Sequence, residues 1–135
     1  SQLIVEPFTD FNIDYVVGIE ARGFIFGAAL ARELDAGFIP IRKPGKLPVE
    51  TISASYELEY GTGRLEMNKD ALEPADRVII HDDLIATGGS AKTAGELVKK
   101  EKGIVAGYSF IIELAALEGP KKLDNKAAKE SLIRF

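Results

Sequence analysis

Apolar residues along the chain gather in short unbroken runs separated by longer mixed stretches, the pattern of strands covered on both faces that alternate with helices. Tyr15-Val16-Val17-Gly18-Ile19 is the first such run, rich in β-formers and without polar alternation, and it predicts an internal strand. Residues 24–34 are long enough for about three helical turns, and Gly37 stands where such a helix would stop. Phe38-Ile39-Pro40-Ile41 predicts a second strand. Arg42-Lys43-Pro44-Gly45-Lys46-Leu47-Pro48 then breaks regular structure and makes a basic loop. Residues 56–60 alternate in strand fashion, Gly61-Thr62-Gly63 reads as a turn, and residues 64–67 return as the second arm of a hairpin.

Further on, residues 77–83 form another buried strand that ends in two acids, Asp82 and Asp83. After a turn over 84–90, a helix to about Lys100 carries Ala91, Ala94, Leu97 and Val98 on one face. Lys92, Glu96, Lys99 and Lys100 lie on the other, and Gly103 ends the helix. Residues 104–112 supply the next strand, residues 121–129 are polar loop or short helix, and Leu132-Ile133-Arg134-Phe135 adds an edge strand. Strands alternating with helices predict an α/β fold with a mainly parallel sheet. With 135 residues and 46% hydrophobic content, the chain can bury one core, so residues 1–135 read as a single domain.

Charge and composition narrow the function. Seventeen basic against 21 acidic residues give a net charge of −4, and neither sign forms a long run, which argues against nucleic acid as a partner. The absence of cysteine excludes disulfides, thiolate nucleophiles and cysteine-containing zinc sites, and permits a cytoplasmic setting. No segment approaches the roughly 18 apolar residues of a membrane span.

The chemistry concentrates where the acidic strand ends. In open α/β sheets, ligands bind beyond the carboxyl ends of the strands, which is where Asp82, Asp83 and the turn Ala86-Thr87-Gly88-Gly89-Ser90 fall. Two glycines let the backbone approach a ligand closely, and the following helix N-terminus offers free amides and partial positive charge to a phosphate. Thr87 and Ser90 add hydroxyls, and the two carboxylates suit ribose hydroxyls, so the stretch is fitted to a sugar phosphate. A Walker A loop is excluded because no Lys-Ser or Lys-Thr directly follows a glycine, and a dinucleotide fingerprint fails on spacing. The blander alternative is that the acids cap a helix and the glycines only turn the chain.

Ile79-Ile80-His81-Asp82-Asp83-Leu84-Ile85-Ala86-Thr87-Gly88-Gly89-Ser90 resembles the phosphoribosyl pyrophosphate signature of the type I phosphoribosyltransferases, in the form typical of their adenine-specific branch. Gly18-Ile19-Glu20-Ala21-Arg22-Gly23-Phe24, the 42–48 loop and Ser55-Tyr56-Glu57-Leu58-Glu59-Tyr60-Gly61 resemble the same family in the same order, so the likeness covers residues 13–135. It departs at His81, where the family usually has an aliphatic residue. Alone on an apolar strand, His81 reads as a hydrogen-bonded structural residue.

The resemblance implies the type I phosphoribosyltransferase fold with a hairpin lid. It implies transfer from phosphoribosyl pyrophosphate to adenine, giving AMP and pyrophosphate with inversion at the anomeric carbon. Glu59 on the lid would handle a proton of the adenine ring, and Tyr60 would shield the site. Glu20, Ala21 and Arg22, at a turn where the family often has a strained peptide, would bind pyrophosphate together with Lys43 and Lys46. Residues Asp82, Asp83, Ala86, Thr87, Gly88, Gly89 and Ser90 would hold the ribose 5-phosphate. Mg²⁺ would bind through the substrate with no direct protein ligand. The family is commonly dimeric, and residues 24–26 are placed to join a homodimer interface. It also carries a base-covering N-terminal hood, in whose place stand only residues 1–12, so the chain reads as a fragment in preference to a domain whose hood comes from a partner or one that takes another base. Two alternatives stay open: a phosphoribosyltransferase for another purine base, and a non-catalytic phosphoribosyl pyrophosphate sensor.

Overall fold

The computed structural model describes residues 2–58 and 60–135. A short helix α1 (Gln2–Val5) leads into β1 (Tyr15–Ile19), α2 (Gly23–Glu33) and β2 (Gly37–Arg42). The hairpin strands β3 (Thr51–Leu58) and β4 (Gly61–Asn68) follow, then β5 (Arg77–Ile85), α3 (Gly89–Lys100), β6 (Ile104–Glu113) and β7 (Ala128–Arg134). The strands form one seven-stranded sheet in the order β3-β4-β2-β1-β5-β6-β7. β1 is parallel to β2 and β5, and β6 is parallel to β5 and β7. Only the hairpin runs antiparallel, joining through β4 to β2. The expected α/β architecture with a mainly parallel sheet is the one observed.

The unbroken apolar runs are explained by cover on both faces. On one face Val16 and Ile79 join Leu30 and Ala31 of α2, with Ile4, Val5 and Phe8 from the N-terminus. On the other, Val17, Val78 and Ile80 join Ala94, Leu97 and Val98 of α3. Alternate residues of one strand thus feed opposite cores. Each fully buried aliphatic side chain contributes on the order of 1.5–3 kcal/mol, which fixes the sheet as the rigid base on which the strand ends are displayed.

Four boundaries differ from the sequence reading. Gly61-Thr62-Gly63 is not a turn but the start of β4, with Gly63 opposite Tyr56. A Cβ at Gly63 would collide with the Tyr56 ring, so this glycine answers a packing need across the hairpin. β5 runs on to Ile85, so Asp82 and Asp83 lie inside the strand. The left-handed residues that end α2 and α3 are Asp35 (φ 54°) and Lys102 (φ 64°), while Gly37 packs on Tyr15, and Gly103 on Val98 and Leu72. The edge strand expected from Leu132 begins earlier, at Ala128.

Candidate active site

β1 passes through α2 to β2 on one side, and β5 passes through α3 to β6 on the other, so the sheet's direction of winding reverses between β1 and β5. Such a switch point leaves a crevice beyond the strand ends. Here it is a cleft of about 270 Å³, lined on one side by Ile19, Glu20 and Arg22 and on the other by the stretch from Asp82 to Ala91.

The turn from β5 into α3 is shaped by Gly88, whose φ of 89° is a left-handed conformation that other residues adopt only at a cost. It precedes Gly89, the first residue of α3, and the Lys92 amide closes the first helical turn onto the Gly88 carbonyl at 2.9 Å. The amides of Gly89, Ser90 and Ala91 therefore have no partner within the helix and stand at its positive end. This is a ready anion cradle, with Thr87 and Ser90 beside it in the cleft wall.

Asp82 and Asp83 sit immediately upstream. The Asp83 amide donates to Asp82 Oδ1 at 2.8 Å, and Asp83 Oδ2 lies 3.4 Å from Arg22 Nε. Burial pushes the Asp82 carboxyl up to about 7, helped by the adjacent Asp83 charge and opposed by the Asp83 amide and by Arg22. Asp82 thus titrates near neutrality and can donate as well as accept a hydrogen bond. His81 is fully buried, with Nδ1 3.1 Å from Ser109 Oγ and Nε2 without a partner among the described residues. Burial lowers its pKa to about 4, so the ring is neutral, in keeping with a structural role.

Opposite the acids, the Glu20–Ala21 peptide is cis, and Glu20, at the cleft wall, meets the basic loop. Its carboxylate accepts the Lys43 amide at 2.6 Å and Arg42 Nη2 at 3.4 Å. Although burial works against the charge, these donors and the nearby Lys46 hold the Glu20 carboxyl below its ordinary range. A second acid, Glu66 on β4, accepts the Gly45 amide at 3.0 Å and Arg64 Nη2 at 3.3 Å. Two carboxylates therefore pin the basic loop by its backbone, which keeps the Lys43 side chain free to line the cleft. Arg42 is held inside, its guanidinium 5.7 Å from the Phe24 ring centre.

The fold thus brings Glu20, Arg22, Lys43, Asp82, Asp83, Ala86, Thr87, Gly88, Gly89 and Ser90 around one cleft, but Ala21 and Lys46 do not line it. Tyr60, expected to shield the site, is 94% exposed, because the hairpin tip projects into solvent. Glu59 lies outside the described residues. The sequence reading missed Tyr56, which lines the cleft from β3, and Glu66. The strand alternation of 56–60 puts Tyr56 on the inward face, which could have flagged it; nothing local marks Glu66, whose role depends on a contact 21 residues away.

A glycine turn at a helix N-terminus, a pair of acids just upstream and a cation from the basic loop thus share one cleft. The chain belongs to the phosphoribosyltransferase family: the family model for the phosphoribosyl transferase domain matches residues 1–130. Among its relatives are adenine phosphoribosyltransferases. That of Halothermothrix orenii is 57% identical over 117 residues, 87% of this chain and 69% of that protein. That of Flavobacterium johnsoniae is 56% identical over 121 residues, 90% of this chain and 71% of that protein. Among solved structures, adenine phosphoribosyltransferase from Rhodothermus marinus superposes with a TM-score of 0.94 at 52% identity, covering 98% of this chain and 75% of that one. The Saccharomyces cerevisiae enzyme, complexed with D-2,5-dideoxy-2,5-imino-altritol 1,6-bisphosphate and adenine, gives 0.88 at 47% identity, covering 97% and 73%.

Proposed function

We infer that the chain transfers the phosphoribosyl group of phosphoribosyl pyrophosphate to adenine, forming AMP and pyrophosphate in purine salvage. The observation that carries this reading is the left-handed Gly88 turn opening α3 directly beyond Asp82 and Asp83 at the switch point of the sheet. The 5-phosphate takes the amides of residues 89–91 with the Thr87 and Ser90 hydroxyls. The ribose hydroxyls meet Asp82 and Asp83, and the proton that Asp82 retains near neutrality lets it serve a hydroxyl oxygen as donor. Arg22 and Lys43, the cations that line the cleft, receive pyrophosphate. Its charge draws Arg22 from the largely exposed contact with Asp83, which holds it only weakly.

Bond breaking develops positive charge on the ribose and negative charge on pyrophosphate, so holding both ends still while neutralising the leaving group is the main catalytic task. Adenine attacks the opposite face, and Glu59 takes its proton once the hairpin has brought Glu59 and Tyr60 over the cleft. Asp82 and Asp83 are too few to cage Mg²⁺, which fits an ion that draws its other ligands from substrate oxygens and water; bound there, it would neutralise pyrophosphate charge. A homodimer through the exposed Ile25 and Phe26 of α2 and a cytoplasmic setting belong to the same proposal. No helix of the described residues is long and apolar enough to cross a membrane. The test is Mg²⁺-dependent nucleotide formation from phosphoribosyl pyrophosphate with adenine, hypoxanthine and guanine in parallel. AMP formed in preference to the other nucleotides is expected, and turnover of another base alone would reassign the specificity.

A further inference from the structure

The segment between β6 and β7 runs as two short 3₁₀ turns, Ala115–Leu117 and Gly119–Lys122, behind the phosphate turn. It is anchored at both ends: the Leu114 amide donates to the Ile85 carbonyl at 3.0 Å, and Leu123 is buried in the α3-side core. Between these anchors Gly119 is buried with its backbone against that of the turn. A Cβ on Gly88 would lie 2.6 Å from the Gly119 carbonyl oxygen. A Cβ on Gly119 would lie 2.5 Å from the Ala86 carbonyl oxygen and 2.8 Å from the Ile85 side chain. Two main chains therefore touch with no side chain between them, and backbone atoms, unlike the end of a flexible side chain, cannot yield.

We propose that Gly119 is a positioning residue for the phosphate turn: its bare backbone is the stop against which Ala86 and Gly88 are set, so that the first amides of α3 converge on the 5-phosphate. This rests on reading the turn as the ribose 5-phosphate site. The left-handed Glu118 (φ 53°) makes the bend that presents Gly119, and Lys121 Nζ reaches back to Glu118 Oε1 at 3.0 Å to brace it. A methyl at 119 pushes on the Ala86 carbonyl and tilts the amides, and misplacement of this kind is costly where several donors must meet one anion.

The test is calorimetric binding of two probes, ribose 5-phosphate and pyrophosphate, to the wild-type chain, Gly119→Ala and Glu118→Val. A β-branched residue disfavours the left-handed conformation at 118 and shifts the segment without adding an atom at the contact. Both variants should bind ribose 5-phosphate at least about tenfold more weakly and pyrophosphate as the wild type does. If Gly119→Ala does not fold, Glu118→Val decides. Unchanged ribose 5-phosphate affinity in a folded variant, or equal weakening toward both probes, would overturn the inference while the site reading stands. A wild-type chain that binds neither ribose 5-phosphate nor phosphoribosyl pyrophosphate would remove the site reading itself.

Discussion

The turn after β5 is set between Ile85 and Ala91, both buried in the α3-side core, and abuts the segment around Gly119, whereas the hairpin carries Tyr60 out into solvent. Ala54, Leu65 and Met67 are buried where the hairpin meets the sheet, but Gly61 and Thr62 are exposed and Tyr60 stands in solvent. Under the proposed function the two regions divide the work in the same way. Binding the phosphorylated ribose requires donors fixed before the ligand arrives, which a packed strand end supplies. Covering the base requires an element that can move, and movable elements are drawn from the poorly packed parts of a fold.

Changes on either side of that division should have different signatures. Glu59→Gln should lower kcat for AMP formation by about 10²–10⁴-fold, the range for loss of a general base, with phosphoribosyl pyrophosphate affinity unchanged; steady-state kinetics beside calorimetry reads both. Asp82→Asn combined with Asp83→Asn should weaken phosphoribosyl pyrophosphate binding by about 10–100-fold, the worth of one or two charged hydrogen bonds.

Asp82→Asn alone should also reveal a stability cost. The Asp82 carboxyl titrates at about 7 in the folded protein against an ordinary 3.8, so its contribution is fully present below about 4 and is lost as pH rises through 7. Thermal melts of the ligand-free wild type should therefore lose stability across that window relative to Asp82→Asn, and the variant should melt higher at pH 8.

A smaller effect is expected at Glu66→Ala, which releases the Gly45 amide and the basic loop. KM for phosphoribosyl pyrophosphate should rise about tenfold, the scale of one charge-assisted hydrogen bond, with ribose 5-phosphate affinity unmoved. Smallest of all, Tyr60→Ala should change stability by no more than about 0.5 kcal/mol in denaturant titrations, as befits a side chain 94% exposed.

The same division explains what could be read from the chain. The glycine turn into α3 was legible because its requirements are local: a glycine where the backbone must turn and a helix start directly after it. The alternation of cores was legible because runs such as Val16-Val17 and Val78-Ile79-Ile80 leave no polar face. What escaped were contacts made across the fold. Gly63 answers Tyr56 on the neighbouring strand, and Glu66 holds a loop that precedes it by 21 residues. Gly119 meets a turn some thirty residues upstream. Glycines that make room for a neighbour look the same in sequence as glycines that turn the chain, so Gly61-Thr62-Gly63 read as a turn and Gly37 and Gly103 as helix stops. The partners of Glu20 escaped for a related reason: the Lys43 amide and Arg42 are positioned by β2 and the loop that follows it.

The separation of binding from base chemistry is tested most directly by measuring phosphoribosyl pyrophosphate affinity and AMP formation on Glu59→Gln and on Asp82→Asn/Asp83→Asn side by side. Glu59→Gln should bind like the wild type and fail to turn over, while the double variant should fail to bind. Loss of binding in Glu59→Gln, or wild-type binding in the double variant, would contradict the account.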